Sequence, residues 1–256
     1  MALQHSQLRH HRLHVSSHLR GAAGLGIERA VIAFGRTERN VHIQMLDFGR
    51  DGLHTGRGQQ YTESEMANKP QIILASASPR REQLLREMGL RFIVVRPEGV
   101  AEELAGAAPG VLAIQNAQRK ARAVASRHPD AMVIGADTIV VLAGRIFGKP
   151  QDREEAVAML QDLVGRQHEV ITGVCLLHRA LDVELTLADT TRVWMRPLDR
   201  AQIEEYLGKI NPLDKAGAYA IQEHGDGIVE RIAGSYATVM GLPTERLRAT
   251  LERIGW

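Results

Sequence analysis

From residue 71 onward, short β-branched runs alternate with stretches where apolar residues recur at helical spacing, the marks of strands and amphipathic helices. Residues 71–75 read as a first strand. Residues 78–88 follow as a helix, with Ser78 as N-cap, Pro79 at the first helical position and Gly89 closing it. Residues 91–95 give a second strand. After Pro109, the spacing of Val111, Ile114, Ala117, Ala121 and Val124 predicts the inward face of a long helix. Residues 131–142 read as a buried strand interrupted by Gly135, a candidate bulge, and by Asp137. Gly144-Arg145 predicts a turn into Ile146-Phe147.

Asp152 with Glu155 predicts a helix reaching Leu163, and Asp199 with Gln202 predicts another reaching Leu207. Strands are expected around 170–177 and 183–194, and again near 218–221, 227–232 and 236–240. Thr244 is expected to cap a closing helix with Leu247, Leu251 and Ile254 on one side. The alternation predicts an α/β fold, a mixed β-sheet with flanking helices, as one elongated domain or as two lobes around a cleft.

Residues 1–68 do not share this pattern. They hold 7 of the 11 histidines and no acidic residue before Glu28. They read as an extension, disordered or spurious, with the folded domain at residues 69–256 and a start near Met66. An Arg-rich, acid-poor targeting leader is the alternative. The formal charge of +2 arises in this leader while residues 69–256 balance to zero, which argues against a broad nucleic-acid surface. Cys175 is the single cysteine, so no intrachain disulfide forms, and its apolar neighbours make it a small buried hydrophobe. No stretch reaches the ~20 apolar residues that span a bilayer. A cytoplasmic protein is expected, with neither membrane nor nucleic acid as partner.

The candidate chemistry lies in three strings. Ser76-Ala77-Ser78-Pro79-Arg80-Arg81 sets two guanidinium groups in a first helical turn, where the helix dipole disfavours cations. An anion held there by backbone N–H groups and both arginines resolves the conflict. Gly135-Ala136-Asp137-Thr138 buries a carboxylate in an apolar run. Asp137 there either ligates a divalent ion, accepts a proton from water, or is a strand-end aspartate bonded to a turn. Asp214-Lys215-Ala216-Gly217-Ala218-Tyr219, followed by Gln222, adds a cation and an amide able to read a base edge. Lys149, fixed between Gly148 and Pro150, has a set direction, whereas Lys120 flanks an apolar helix face and by itself reads as solvated. Glu102 and Glu103 could offer metal oxygens. Neither a zinc-type Cys/His cluster nor a P-loop or dinucleotide string is present.

These strings, with Gly148-Lys149-Pro150, Thr172-Gly173-Val174, Gly234-Ser235-Tyr236 and Gly241-Leu242-Pro243 in the same order, closely resemble the Maf family of nucleoside triphosphate pyrophosphatases over residues 71 to about 254. The resemblance implies a fold like that of the inosine-triphosphate pyrophosphatases, a cytoplasmic homodimer, and cleavage between α and β phosphates with a divalent metal, magnesium or manganese. On that pattern Asp137 is the proton acceptor, Arg80, Lys120 and Lys149 fall where phosphate-binding groups are found, and Glu102 aligns with an acidic metal-site residue. Ser76, Arg81 and Lys215 join them as expected substrate-binding residues, and Asp137 as an expected second metal ligand. Arg80, Thr138 and Gln222 match the branch acting on dTTP and UTP rather than the one acting on 7-methyl-GTP. Ala101, Asn211 and Ala220 depart from common family residues. A cell-division regulator with incidental hydrolysis is the reading from another class.

Overall fold

The computed structural model describes residues 71–256 and, before them, two short strands that pair antiparallel, β1 (Glu28–Ala30) and β2 (Leu46–Phe48). The expected extension at residues 1–68 otherwise lies outside the described residues, as does the start near Met66. The main sheet has seven strands: β3 (Ile72–Ala75), β4 (Phe92–Val95), β5 (Met132–Leu142), β6 (Arg145–Phe147), β7 (Gln167–His178), β8 (Val183–Met195) and β9 (Val229–Ala233). Their order is β4-β3-β5-β7-β8-β9, with β6 also on β5. β3 runs parallel to both β4 and β5, and the remaining pairs are antiparallel, so the sheet is mixed.

Alternation along β5 decides what each face meets. Val133, Ile139 and Val141 face helix α2 (Pro109–Ala125), packing with Ala113, Ala117, Ala121 and Val124. The other face carries two separate cores. Met132, Ile134 and Ala136 pack against Leu84 and Leu85 of α1 (Pro79–Glu87) and Leu247 and Leu251 of α6 (Thr244–Arg253). Val140 packs against Leu160 and Leu163 of α3 (Arg153–Leu163) and Ile203 and Leu207 of α4 (Arg200–Leu207). Each such leucine contributes about 1.5–3 kcal/mol by leaving water. Thr138 falls between the two cores.

Several elements form as their sequences predict. Asp152 accepts from the Glu155 N–H, and Asp199 and Gln202 complete a reciprocal capping box. Others differ. Gly135 is no bulge, since β5 pairs with β7 without a break from Val133 to Val141. A Cβ on Gly135 would lie 2.3 Å from the Ala117 carbonyl oxygen, and one on Gly173 would lie 2.4 Å from the Ala113 carbonyl carbon. The two glycines let α2 sink onto the sheet. That helix is also turned relative to the expected face: Leu112, Ala113, Asn116 and Lys120 are buried while Val111 is exposed.

The hairpin turn is Ala143-Gly144, both at positive φ, rather than Gly144-Arg145. Residues 236–240 form a helix, α5 (Tyr236–Met240), not a strand, because Ser235 caps the Thr238 N–H and Gly241 ends the turn at φ 112. Residues 218–221 form no strand, and follow a 3-10 turn, Ala216–Ala218. Ser78 and Thr244 give no side-chain cap, and the N-cap before α6 is Pro243. Among the described residues no helix is long and apolar enough to cross a membrane.

Candidate active site

The register of β5 creates the site. One edge pairs with β7 from Val133 to Val141, while the other is shared by β3, which stops opposite Gly135, and β6, whose last residue, Phe147, lies opposite Val140. Residues 136–139 are therefore left without a neighbour on that edge. A cavity of about 430 Å³ opens there, within the range of small-ligand sites. Side chains from both faces of β5 reach it, Asp137 from the α2 side and Thr138 from the other.

Ten residues nominated from the sequence line this cavity, Ser76, Arg80, Arg81, Glu102, Lys120, Asp137, Thr138, Lys149, Lys215 and Gln222, whereas Glu103, the other acid named there, does not. Five lining cations face three lining carboxylates, those of Glu102, Asp137 and Asp214. The surplus positive charge suits a polyanion.

Asp137 is 3% exposed, and both oxygens are bonded. Lys120 Nζ lies 2.5 Å from Oδ1, and Asn116 Nδ2 donates to Oδ2 at 2.9 Å. Lys120 and Asn116 stand four residues apart on the buried ridge of α2, so the glycine-permitted contact with β5 delivers both. The expectation from the helix pattern alone, that Lys120 faces water, is thus corrected by the rotation of α2. Its ammonium also meets Glu102 Oε1 at 2.7 Å, and Lys149 Nζ reaches Glu102 Oε1 and Oε2 at 2.8 and 3.0 Å. Burial would raise the Glu102 carboxyl, but Lys120 and Lys149 together outweigh it and hold the pKa at about 2.

The adjacent arginines do different things. Arg81 is buried. Its Nε donates to the Gly241 carbonyl at 2.8 Å, and its Nη groups reach Thr138 Oγ1 at 3.0 Å and Ser76 Oγ at 3.4 Å. Desolvation lowers its pKa, opposed by Asp137 and Glu102. Thr172 donates to the Thr238 carbonyl, so the 2.9 Å Thr138–Thr172 contact uses the Thr138 proton. Thr138 therefore shows the cavity an acceptor and no donor. Arg80 is less buried and pairs with Asp214, Nη1 to Oδ2 at 3.2 Å and Nη2 to the carbonyl at 3.3 Å.

Lys215 Nζ donates to Asp214 Oδ1 at 2.8 Å and the Asn211 carbonyl at 2.7 Å, and lies 3.3 Å from Glu223. Gln222 Nε2 donates to Glu223 Oε1 at 3.2 Å. Val170, Leu213, Ile221, Val239 and Met240 supply apolar lining. Cys175 is fully buried with its thiol pKa pushed up, which leaves it inert. The sequence reading missed Asn116 and the pairing role of Asp214, and it quoted Thr172 within a motif without giving it a role. For Asn116 the available signal was its four-residue offset from Lys120.

Among the described residues no group of three or more His, Cys, Asp or Glu is placed to hold a metal. The donor set that does exist is two carboxylates, Glu102 and Asp137, converging on one ammonium. It fits a hard divalent ion completed by water and phosphate oxygens, and not zinc.

The family model for Maf-like proteins matches residues 71–254. The chain belongs to the Maf family. Curated relatives named dTTP/UTP pyrophosphatase come from Symbiobacterium thermophilum (46% identical, 73% of this chain and 95% of the relative), Carboxydothermus hydrogenoformans (43%, 72% and 99%) and Geobacter sulfurreducens (46%, 73% and 98%). A crystal structure, protein VC0702 from Vibrio cholerae, is 16% identical over 56% of this chain and 69% of its own, with a TM-score of 0.28, too loose a likeness to bear on the fold.

Proposed function

We propose that this Maf-family protein hydrolyses dTTP and UTP to the monophosphate and pyrophosphate. The carrying observation is the cavity at the open edge of β5, where a buried carboxylate and five cations face the same space, in a chain 42–46% identical to relatives named for that activity.

The strengths of the ion pairs suggest which cations hand over to substrate. Lys149 and Glu102 are partly exposed, as are Arg80 and Asp214, and such pairs are worth about 0–1 kcal/mol. Phosphate oxygens exchange for those carboxylates at little cost. The Lys120–Asp137 pair is buried on both sides, and removing one partner from such a pair costs about 3–5 kcal/mol, so it stays together. Arg80 and Lys149 accordingly take the phosphates, with Lys215 beside Arg80's partner. Arg81 and Ser76 brace Thr138 and the start of α1.

Asp137, fixed by Lys120 and Asn116, accepts a proton from the attacking water. Glu102 and Asp137 would hold a magnesium or manganese ion, which when bound neutralises charge building on the leaving pyrophosphate. Thr138 and Gln222 present neutral groups to the base, matching an uncharged pyrimidine edge. Residues 69–256 form the catalytic domain of a cytoplasmic homodimer. Pyrophosphate release from a panel of nucleoside triphosphates with magnesium or manganese tests the reading. dTTP and UTP should lead, and a purine preference would overturn the base assignment.

A further inference from the structure

We infer that Asn116 is a positioning residue for this hydrolysis, one side chain that fixes both the Asp137 carboxylate and the segment carrying Glu102. The inference rests on the reading of Asp137 as proton acceptor. Asn116 is fully buried and does not line the cavity, so it reaches substrate only through its neighbours.

Its amide is saturated. Nδ2 donates to Asp137 Oδ2 at 2.9 Å and to the Glu103 carbonyl at 2.9 Å, while Oδ1 accepts from the Glu103 N–H at 3.0 Å and from Arg119 Nη1 at 3.1 Å. Two donors and two acceptors are thus all used. Only one orientation of the amide works, because the Glu103 N–H needs an oxygen and the Asp137 carboxylate needs a donor. The two bonds to Glu103 grip its backbone as a partner strand would. Glu103 adjoins Glu102 in residues 101–104, which have no regular secondary structure. Arg119 adds a 2.6 Å pair to Glu103 from the same helix. Asp137 and the backbone next to Glu102, residues 35 positions apart in sequence, are therefore joined through one amide.

Asn116→Leu removes all four bonds at similar volume. Asn116→Asp keeps an acceptor for the Glu103 N–H but sets a carboxylate against Asp137. Two carboxylates so close push apart, which moves Asp137 off the place where Asn116 holds it.

The test measures kcat and KM for dTTP, together with hydrogen exchange of the Glu103 amide. Asn116→Asp should lower kcat about 10- to 100-fold with KM unchanged and the Glu103 amide still protected. Asn116→Leu should lower kcat at least as far and also free that amide to exchange. Wild-type turnover in Asn116→Asp, or a loss in kcat and KM together that tracks thermal stability, would overturn the proposal. Should Asn116→Leu fail to fold, the near-isosteric Asn116→Asp decides alone. Asp137→Asn separates the two layers: if it stays active, the proton-acceptor reading falls, whereas an inactive Asp137→Asn beside a fully active Asn116→Asp removes only the positioning role.

Discussion

Asp137 and His168 are both buried polar residues on neighbouring strands, and their surroundings differ in kind. Asp137 faces α2, has both oxygens bonded and opens on the cavity. His168 is 1% exposed in the core beneath α3 and α4, bonds through Nε2 to the Tyr219 hydroxyl at 2.8 Å, and leaves Nδ1 without a partner. Desolvation alone lowers its pKa to about 4, so it is neutral at physiological pH. A buried charge held by two positioned donors beside a cavity is placed to meet a ligand. A buried neutral ring with one bond and no access to the cavity belongs to packing. Residue type alone does not separate them; the partners do.

The contrast can be broken at either residue. Asp137→Asn should reduce pyrophosphate release by about 10²–10⁴-fold while circular dichroism keeps the wild-type secondary structure. The thermal midpoint should fall as well, because the amide cannot accept from both Lys120 and Asn116 and leaves the buried ammonium short of a charge partner. Retained turnover would erase the distinction. Gly135→Val tests the support beneath Asp137. The added side chain meets the Ala117 carbonyl at the helix–sheet contact, so urea unfolding should show a loss of about 3 kcal/mol or more, with activity falling as Lys120 and Asn116 are pushed away. A neutral result would mean that α2 does not need its close seat.

His168 should govern acid stability instead. Its folded pKa lies below the unfolded value, so the unfolded chain takes up the proton first as pH falls. The stability is whole above pH ~6.5, declines toward pH 4, and totals about 3 kcal/mol across that window. Thermal midpoints from pH 7 to 4 should drop more steeply in wild type than in His168→Phe. Parallel slopes would assign the acid loss elsewhere.

The strand and helix order was legible because most elements declare themselves locally, as at Asp152 and Asp199, whose caps formed as their spacing predicts. Asp137 was legible for a similar reason: a carboxylate in an apolar run demands compensation. What escaped depends on contacts between distant elements. Gly135 looks like a bulge until a helix is seen resting on it, and the same docking turns Lys120 inward and gives Asn116 its four partners. Residues 236–240 carry β-branched residues that suggest a strand, yet the Ser235 cap and the turn at Gly241 outweigh that preference over five residues.

The four-residue window on the edge of β5 has one more consequence. The acid takes its stiffness from the ladder behind it and its two bonded partners from α2, while much of the remaining lining comes from segments far apart in sequence: residues 76–81, 100–104, 148–149 and 213–222. Those borders can be exchanged piecemeal without disturbing the hydrogen-bonded frame. A change of nucleotide preference therefore requires no new scaffold, only exchanges at the rim of the cavity, at Thr138 on β5 or in the segments beside it.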